Sequence, residues 1–503
     1  MELLKSSISR KIYFSLVALV VLNLVLILDN LEASVILTTF NQGKGSLSAD
    51  LRIIYRHEFW DWFKPPAQRN DNNRYDFFFT RSLVGLKLTL PNFLSYIQAQ
   101  DVHMWGLPDD AIATSPAGTL GVGPTYFLHG GQENYSSTII RQAYLEFSKF
   151  FINGLSLRGG RFDYLDSLEV TYDNPKVNWI KEVRLADRLI GPFTYSSFNR
   201  SFDGVKVAYD QDLFNVTSII THPTQGGFEN DAQKTIHDID LATLTLTMKY
   251  NQLIPNTESR LFYFYYRDDR DVPKVDNTLP GSGLNRGDIK IHTLGMHWLG
   301  TAKTACGILD GLFWGVYQTG DWGRLDHEAW AVTVEGGYQF IACPWTPWIR
   351  AGYFISSGDK NPSDHDHETF YQLLPTARKY ALFPFFNQMN NEDLFLQAIV
   401  KPGKKLAIRT DLHFLWLQEE DDRWYLGAGA TRAGGKIFGY QGRPSFGDEK
   451  LGTLLDITMT CNFTSYFSTV FYFGRVFGSD VIENIYPREE DASFGFVELA
   501  FTF

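Results

Sequence analysis

Cysteine is scarce. Cys306, Cys343 and Cys461 are the three in 503 residues, too few for a disulfide scaffold and without the spacing of a metal site. Past Ser34 no apolar run of about 18 residues goes uninterrupted, which excludes a polytopic helical membrane protein. Positive charge is in deficit, with 46 Lys and Arg against 57 Asp and Glu and a net charge of −11. An acidic chain is a poor non-specific partner for nucleic acid. No internal repeat, low-complexity segment or Pro/Ser linker divides the sequence, so residues 34–503 read as one continuous domain. A hydrolytic constellation is missing too. The eleven histidines include His57 and His413, the latter beside Asp411 by strand parity, but no serine motif supplies a nucleophile. Nothing calls for a cofactor. The cluster Asp364-His365-Asp366-His367-Glu368 lacks the ligand spacing of a metal-binding loop and reads as a solvated or lipopolysaccharide-facing segment.

What is present begins at the two ends. Lys5, Arg10 and Lys11 precede an apolar run from Ile12 to Leu28, then Ala33 and Ser34. This order of charged, apolar and small residues reads as a secretory signal over residues 1–33, or as an anchor helix if Leu31 prevents cleavage. At the other end, Val497, Leu499, Phe501 and Phe503 alternate with Glu498, Ala500 and Thr502. Alternation with period two puts the apolar set on one face of an extended strand. An apolar stripe closing on an aromatic resembles the last strand of a bacterial outer-membrane β-barrel, where it faces lipid.

Between the ends, period-two segments recur. Leu244, Leu246, Met248 and Tyr250 oppose Thr243, Thr245, Thr247 and Lys249. Leu406, Ile408, Leu412, Phe414 and Trp416 oppose Arg409, Asp411 and His413. Eighteen such strands are expected, the first starting near Ala49 and the last near Asp491. Their connections alternate. Pro91-Asn92, Asn153, Cys343-Pro344-Trp345 and Pro402-Gly403 mark short turns. Longer loops follow Trp60, Trp105, Leu165, Thr221, Arg267, Gly358, Gln418 and Phe477. Loops of that length are unusual inside a compact soluble domain. Short turns on one rim and long loops on the other are the habit of transmembrane barrels. The expected fold is all-β, a single closed antiparallel barrel with both ends at the periplasmic rim. All three cysteines then fall at periplasmic turns, too far apart to pair, and are expected as free thiols.

Several segments carry a family resemblance. They are Arg141-Gln142-Ala143-Tyr144-Leu145-Glu146-Phe147 with Leu157-Arg158-Gly159-Gly160-Arg161, then Asp187-Arg188-Leu189-Ile190-Gly191 leading to Asn199-Arg200-Ser201-Phe202-Asp203-Gly204-Val205. The last runs from Ser357-Gly358-Asp359 to Thr369-Phe370-Tyr371-Gln372-Leu373-Leu374-Pro375-Thr376. Together they resemble the alginate-export family of outer-membrane barrels. Phe162 and Ala377 depart from the family pattern, which touches the cargo and not the barrel. The resemblance implies a channel for an anionic poly- or oligosaccharide, placed among outer-membrane lipid and lipopolysaccharide. Barrel-assembly machinery and periplasmic export components are the further partners it implies. It also implies that Arg141 and Arg161 line the constriction.

A pore for an acidic polymer needs fixed positive charge in a low-dielectric lumen. Arginine suits the task because it stays charged and meets carboxylates with a planar fork. Strand parity places Arg52, Arg56, Arg81, Lys87, Arg267, Arg350 and Arg409 inward, with Glu58, Asp411 and Asp456 on the same faces. Parity conflicts with the resemblance at Arg141, which shares a side with Leu145 and Phe147, and at Arg161, which shares one with Leu157. A bulge at Gly159-Gly160 is one way to reconcile them. A diffusion porin for small anions or sugars uses the same parts, and a barrel hydrolase is a further alternative. An energised receptor is excluded, because the residues between Ser34 and Ala49 cannot form its plug.

Overall fold

The computed structural model describes residues 35–277, 286–376, 380–427 and 435–503. The signal reading and Ala377 lie outside the described residues. Eighteen strands form one antiparallel barrel. They begin with β1 (Gly45–Asp61), β2 (Arg74–Leu90), β3 (Phe93–Trp105), β4 (Tyr135–Ser148), β5 (Leu155–Phe162) and β6 (Phe202–Asp210). Next come β7 (Phe214–Pro223), β8 (Ile239–Met248), β9 (Thr257–Asp268), β10 (Ile289–Lys303), β11 (Gly307–Trp322) and β12 (Leu325–Phe340). The wall is completed by β13 (Trp348–Ser356), β14 (Glu392–Val400), β15 (Leu406–Trp416), β16 (Lys450–Asn462), β17 (Phe467–Gly478) and β18 (Ala492–Thr502). Closure comes from β18 pairing with β1, from Arg52 opposite Thr502 to Asp61 opposite Ser493. The final Phe503 exchanges backbone hydrogen bonds with Leu51 at 2.8 and 3.1 Å.

The alternation of each strand decides its orientation. In β8, Thr243, Thr245 and Thr247 are buried inside while Leu244 and Leu246 stand exposed on the outer belt. In β18, Val497, Leu499 and Phe501 face out and Glu498 faces in, the arrangement expected of the last strand. Apolar side chains on the outside of a closed barrel meet hydrocarbon, and every backbone group is paired around the ring. Short turns join the strands on the rim that carries both ends. The opposite rim carries the long loops with one exception, the two-residue turn at Gly323-Arg324, where Gly323 takes φ +66°. Its left-handed backbone is the conformation that glycine enters without steric cost.

Two of the long loops turn inward. Helix α1 (Gly123–Gly130) belongs to the loop after β3, and segment 163–201 enters the lumen through helix α2 (Pro175–Ile180) and a π-helical turn (Lys181–Leu185). Residues 357–376 and 380–391 descend to meet it, and the two loops join in a parallel bridge between Ile190 and Leu374. Val177, Ile180, Leu185, Leu189 and Ile190 are fully buried against Phe262, Phe264 and Trp314 of the wall and Tyr371 and Leu374 of the second loop. The lumen along β9–β13 is therefore a packed core, and helix α2 carries the loop down toward the short-turn rim. Burial of this apolar surface, at about 25 cal/mol per Å², holds the loops inside.

Asp268 ends β9 and is buried against Arg270, at 2.8 Å from its Nε. His367 is not a solvated loop residue. It is buried, stacked 4.1 Å from Trp322, because Asp366 and His367 pair with Asp326 and His327 of β12. The three cysteines are free, with Cys306 and Cys343 exposed at turns on the rim of the termini.

Candidate pore lining and constriction

One side of the lumen is neutralised by ion pairs that clamp the 163–201 loop. Lys181 Nζ lies 2.7 Å from Glu258, which also receives Tyr172 Oη and contacts His297 Nε2 at 2.9 Å. Arg184 donates through Nε to Glu335 at 2.8 Å, and Arg350 joins the same carboxylate at 3.0 Å while bonding Asp310. Lys176 reaches Asp310 at 2.9 Å. Arg260 on β9 holds Asp166 and Glu169 at 2.8 and 2.7 Å. All of these side chains are at least nine-tenths buried except that of Tyr172. Buried charges persist only when paired and hydrogen-bonded, and here the pairing serves to fix the loop to β9–β13. Arg350, which sequence parity places inward, is inward as expected but committed to this clamp.

The other side, β1 to β6, mixes paired and unpaired cations; Arg158 on β5 holds Glu146 on β4 at 2.6 Å. Arg56 does hold Glu498 at 2.7 Å, and its guanidinium lies 4.1 Å from the ring centre of Tyr195, whose carbonyl it also bonds. Arg81 has only neutral partners, the Ser196 carbonyl at 2.6 Å and Asn199 Oδ1 at 3.0 Å. Arg52, Lys87 and Lys206 face the lumen, and their side chains make no hydrogen bond or ion pair among the described residues. Lys206 was missed in the sequence because Gly204 and Ala208 flank it on its inward face and dilute the alternation. On β15, Arg409 faces in and holds Asp411 at 2.6 Å, with Asp411 bonded by Gln397 and opposite Asp456.

Two expectations separate at the family arginines. Arg141 is buried inside, bonded to Gln98 at 2.7 Å and to Asp163. It reaches the lumen because a bulge in β4 leaves it unmatched, with Gln98 opposite Gln142 and Ala99 opposite Ile140. The bulge is thus in β4 and not at Gly159-Gly160, where register with Leu145 and Tyr144 is continuous. Arg161 obeys its parity instead. It sits on the outer face opposite Asp203 and Ala143, in line with exposed Leu145, Val205 and Val207, and it donates to both oxygens of Asp203 at 2.7 Å.

Arg267 is likewise corrected to the outer face, where it bonds Asp269 at 2.8 Å and lies 3.6 Å from Asp240. The inward side of β9 carries Phe262, Phe264 and Tyr266, which pack against the luminal loops. A filled lumen reverses the rule that polar residues point in. His413 is inward and buried, but Asp393 at 3.0 Å is its partner and Asp411 is not.

A closed eighteen-stranded barrel with an apolar belt, a filled polar lumen and loops on one rim is an outer-membrane channel of a Gram-negative bacterium. The model of the alginate export family matches residues 110–496, and the chain belongs to that family. Among solved structures it is similar in fold to OccAB4 of Acinetobacter baumannii, at 10% identity, TM-score 0.53, and coverage of 90% of this chain and 98% of that one. OccK9 (OpdG) of Pseudomonas aeruginosa is also similar, at 9% identity and TM-score 0.54, covering 93% and 100%. So is OpdK of Pseudomonas aeruginosa solved with vanillate, at 8% identity and TM-score 0.53, covering 90% and 98%. No curated protein matches the sequence. The family match and the fold together are those of an outer-membrane channel.

Proposed function

We propose that the channel passes anionic saccharides along the basic β1–β6 side of its lumen and has no catalytic activity. The observation that carries this is the asymmetry of pairing. Opposite β1–β6, each buried cation of the clamp has a carboxylate; on β1–β6, Arg52, Lys87 and Lys206 have none, and Arg81 is held by neutral oxygens. Cations without partners in a confined lumen stabilise a passing anion, because surrounding protein screens them less than bulk water does. Arg141 and Arg409 also face the lumen, each held by a carboxylate, Asp163 and Asp411.

Reversal potentials in planar bilayers test this. The wild-type channel is expected to prefer chloride over potassium, and Arg52, Lys87 and Lys206 changed together to Gln should move the preference toward cations. Cation preference in the wild type overturns the reading.

A second reading, passage of single small organic anions, is favoured by the two loops that narrow the lumen. The vanillate of the OpdK structure is an anion of that size. With either cargo, we propose residues 1–33 as an export signal and barrel-assembly machinery and lipopolysaccharide as partners.

A further inference from the structure

We propose that the periplasmic mouth holds a subsite for one acidic sugar residue, roofed by Trp179 and surrounded by Lys401, Lys404, Lys405 and Arg409. The proposal rests on the anionic-saccharide reading and assigns that cargo its first point of contact on the periplasmic side. A cavity of about 350 Å³ lies between helix α2 of the luminal loop and the turn 401–405. Ligand pockets commonly span about 300–1,000 Å³, so the space suits a single pyranose ring or little more.

The composition of its wall is the argument. Four lining side chains are cationic and none is a carboxylate. The clamp above it, by contrast, pairs each buried cation with an acid. Lys405 donates to the Phe463 carbonyl at 2.6 Å, and Arg409 is oriented by Asp411 at 2.6 Å. The side chains of Lys401 and Lys404 make no hydrogen bond or ion pair among the described residues, which leaves their ammonium groups for a ligand. Thr458, Thr460 and Asn462, on the inner face of β16, complete the wall with neutral polar residues. Hydroxyl and amide groups of this kind both donate and accept hydrogen bonds, which suits them to sugar hydroxyls.

Trp179 supplies the remaining element. Its ring lies 4.6 Å from that of Trp348 at 57°, which props it at the roof of the cavity. An indole face is a large apolar platform with a polar edge, a match for the C–H face of a pyranose. Cations for the carboxylate, a hydroxyl for the ring oxygens and an aromatic plane for the C–H face together define a uronic acid unit.

The test uses the full chain in a planar bilayer, with oligomannuronate added to one chamber at a time and maltohexaose as the neutral control. Oligomannuronate is expected to block current at lower concentration from the periplasmic side than from the extracellular side. Trp179→Ala, and separately Lys401→Gln with Lys404→Gln, should each weaken the periplasmic block roughly tenfold, the scale of losing one charge-assisted or packed contact. Trp179→Phe should retain most of it, and extracellular block should be unchanged. Heat-modifiable gel migration confirms that each variant is a folded barrel. If the wild type is blocked equally from both sides, or if folded variants block like wild type, the subsite is wrong while the anionic channel stands. If oligomannuronate blocks from neither side, the anionic-saccharide reading fails and takes the subsite with it.

Discussion

Arg184 of the luminal loop and Glu335 of β12 meet at 2.8 Å with both side chains wholly buried, and Arg350 and Arg188 converge on the same carboxylate at 3.0 and 4.0 Å. This pairing ties the constriction to the wall. Removing one partner of a buried pair leaves the other uncompensated, at a cost of about 3–5 kcal/mol. Glu335→Ala should therefore release the loop from β12 and raise single-channel conductance, while the barrel still migrates as a folded species. Unchanged conductance in a folded variant would show that the loop is held by its apolar contacts alone.

Arg56 and Arg52 lie four residues apart on the inner face of β1 and are expected to differ in role. Arg56 is buried against Glu498 and the Tyr195 ring, and Arg52 is exposed to the lumen. Arg56→Ala should lower the unfolding temperature, with a loss of about 3–5 kcal/mol from the stranded Glu498. Arg52→Ala should leave stability nearly unchanged and reduce anion preference. Thermal scans followed by gel shift would check the first, and reversal potentials the second.

Arg141 and Arg161 make a sharper pair. Arg141→Ala should change ion selectivity, since its guanidinium lies inside beside Gln98. Arg161→Ala should not, because that side chain is outside with Asp203. An equal effect of both variants on selectivity would contradict the bulge in β4 as the device that turns Arg141 inward.

These contrasts show what was legible in the sequence. Eighteen strands, the placement of long and short connections and the closing strand follow from period-two alternation and turn residues, and all appear in the structure. Inward placement of Arg52, Arg56, Arg81, Lys87, Arg350 and Arg409 also follows from parity. Arg141 did not, because a bulge shifts parity by one residue and leaves no mark in the pattern. Arg267 did not, because apolar residues occupy the inner face of β9 to meet the luminal loops. A signal for those loops was present nonetheless. Val177, Ile180, Leu185, Leu189 and Ile190 are too many apolar residues for a loop exposed to solvent.

The extracellular loops are expected to respond to pH. Asp359 and Asp422 are linked by a hydrogen bond from the Asp359 amide to Asp422 Oδ2 at 3.0 Å. Burial, with Asp422 alongside, raises Asp359 to about 7, and burial raises Asp422 to about 6. Both folded values exceed the ordinary carboxylate range, so the packed loops bind more protons than loosened ones between those limits. Their packing is fullest below the ordinary value and weakens as pH rises through about 6 to 7. Hydrogen exchange of residues 357–376, corrected for intrinsic rate, should show more protection at pH 5 than at pH 8. Asp359→Asn should flatten that difference. Protection that grows with pH would reverse the sign and refute the assignment.

The most direct test of an anionic-saccharide channel is competition at the single-channel level. Oligomannuronate, gluconate and neutral maltodextrin are added in turn to the wild-type protein at equal concentration. The expected result is current block by the two carboxylates, stronger for the oligomer, with maltodextrin without effect. Block by maltodextrin equal to that by oligomannuronate, in a channel that prefers cations, would contradict the account.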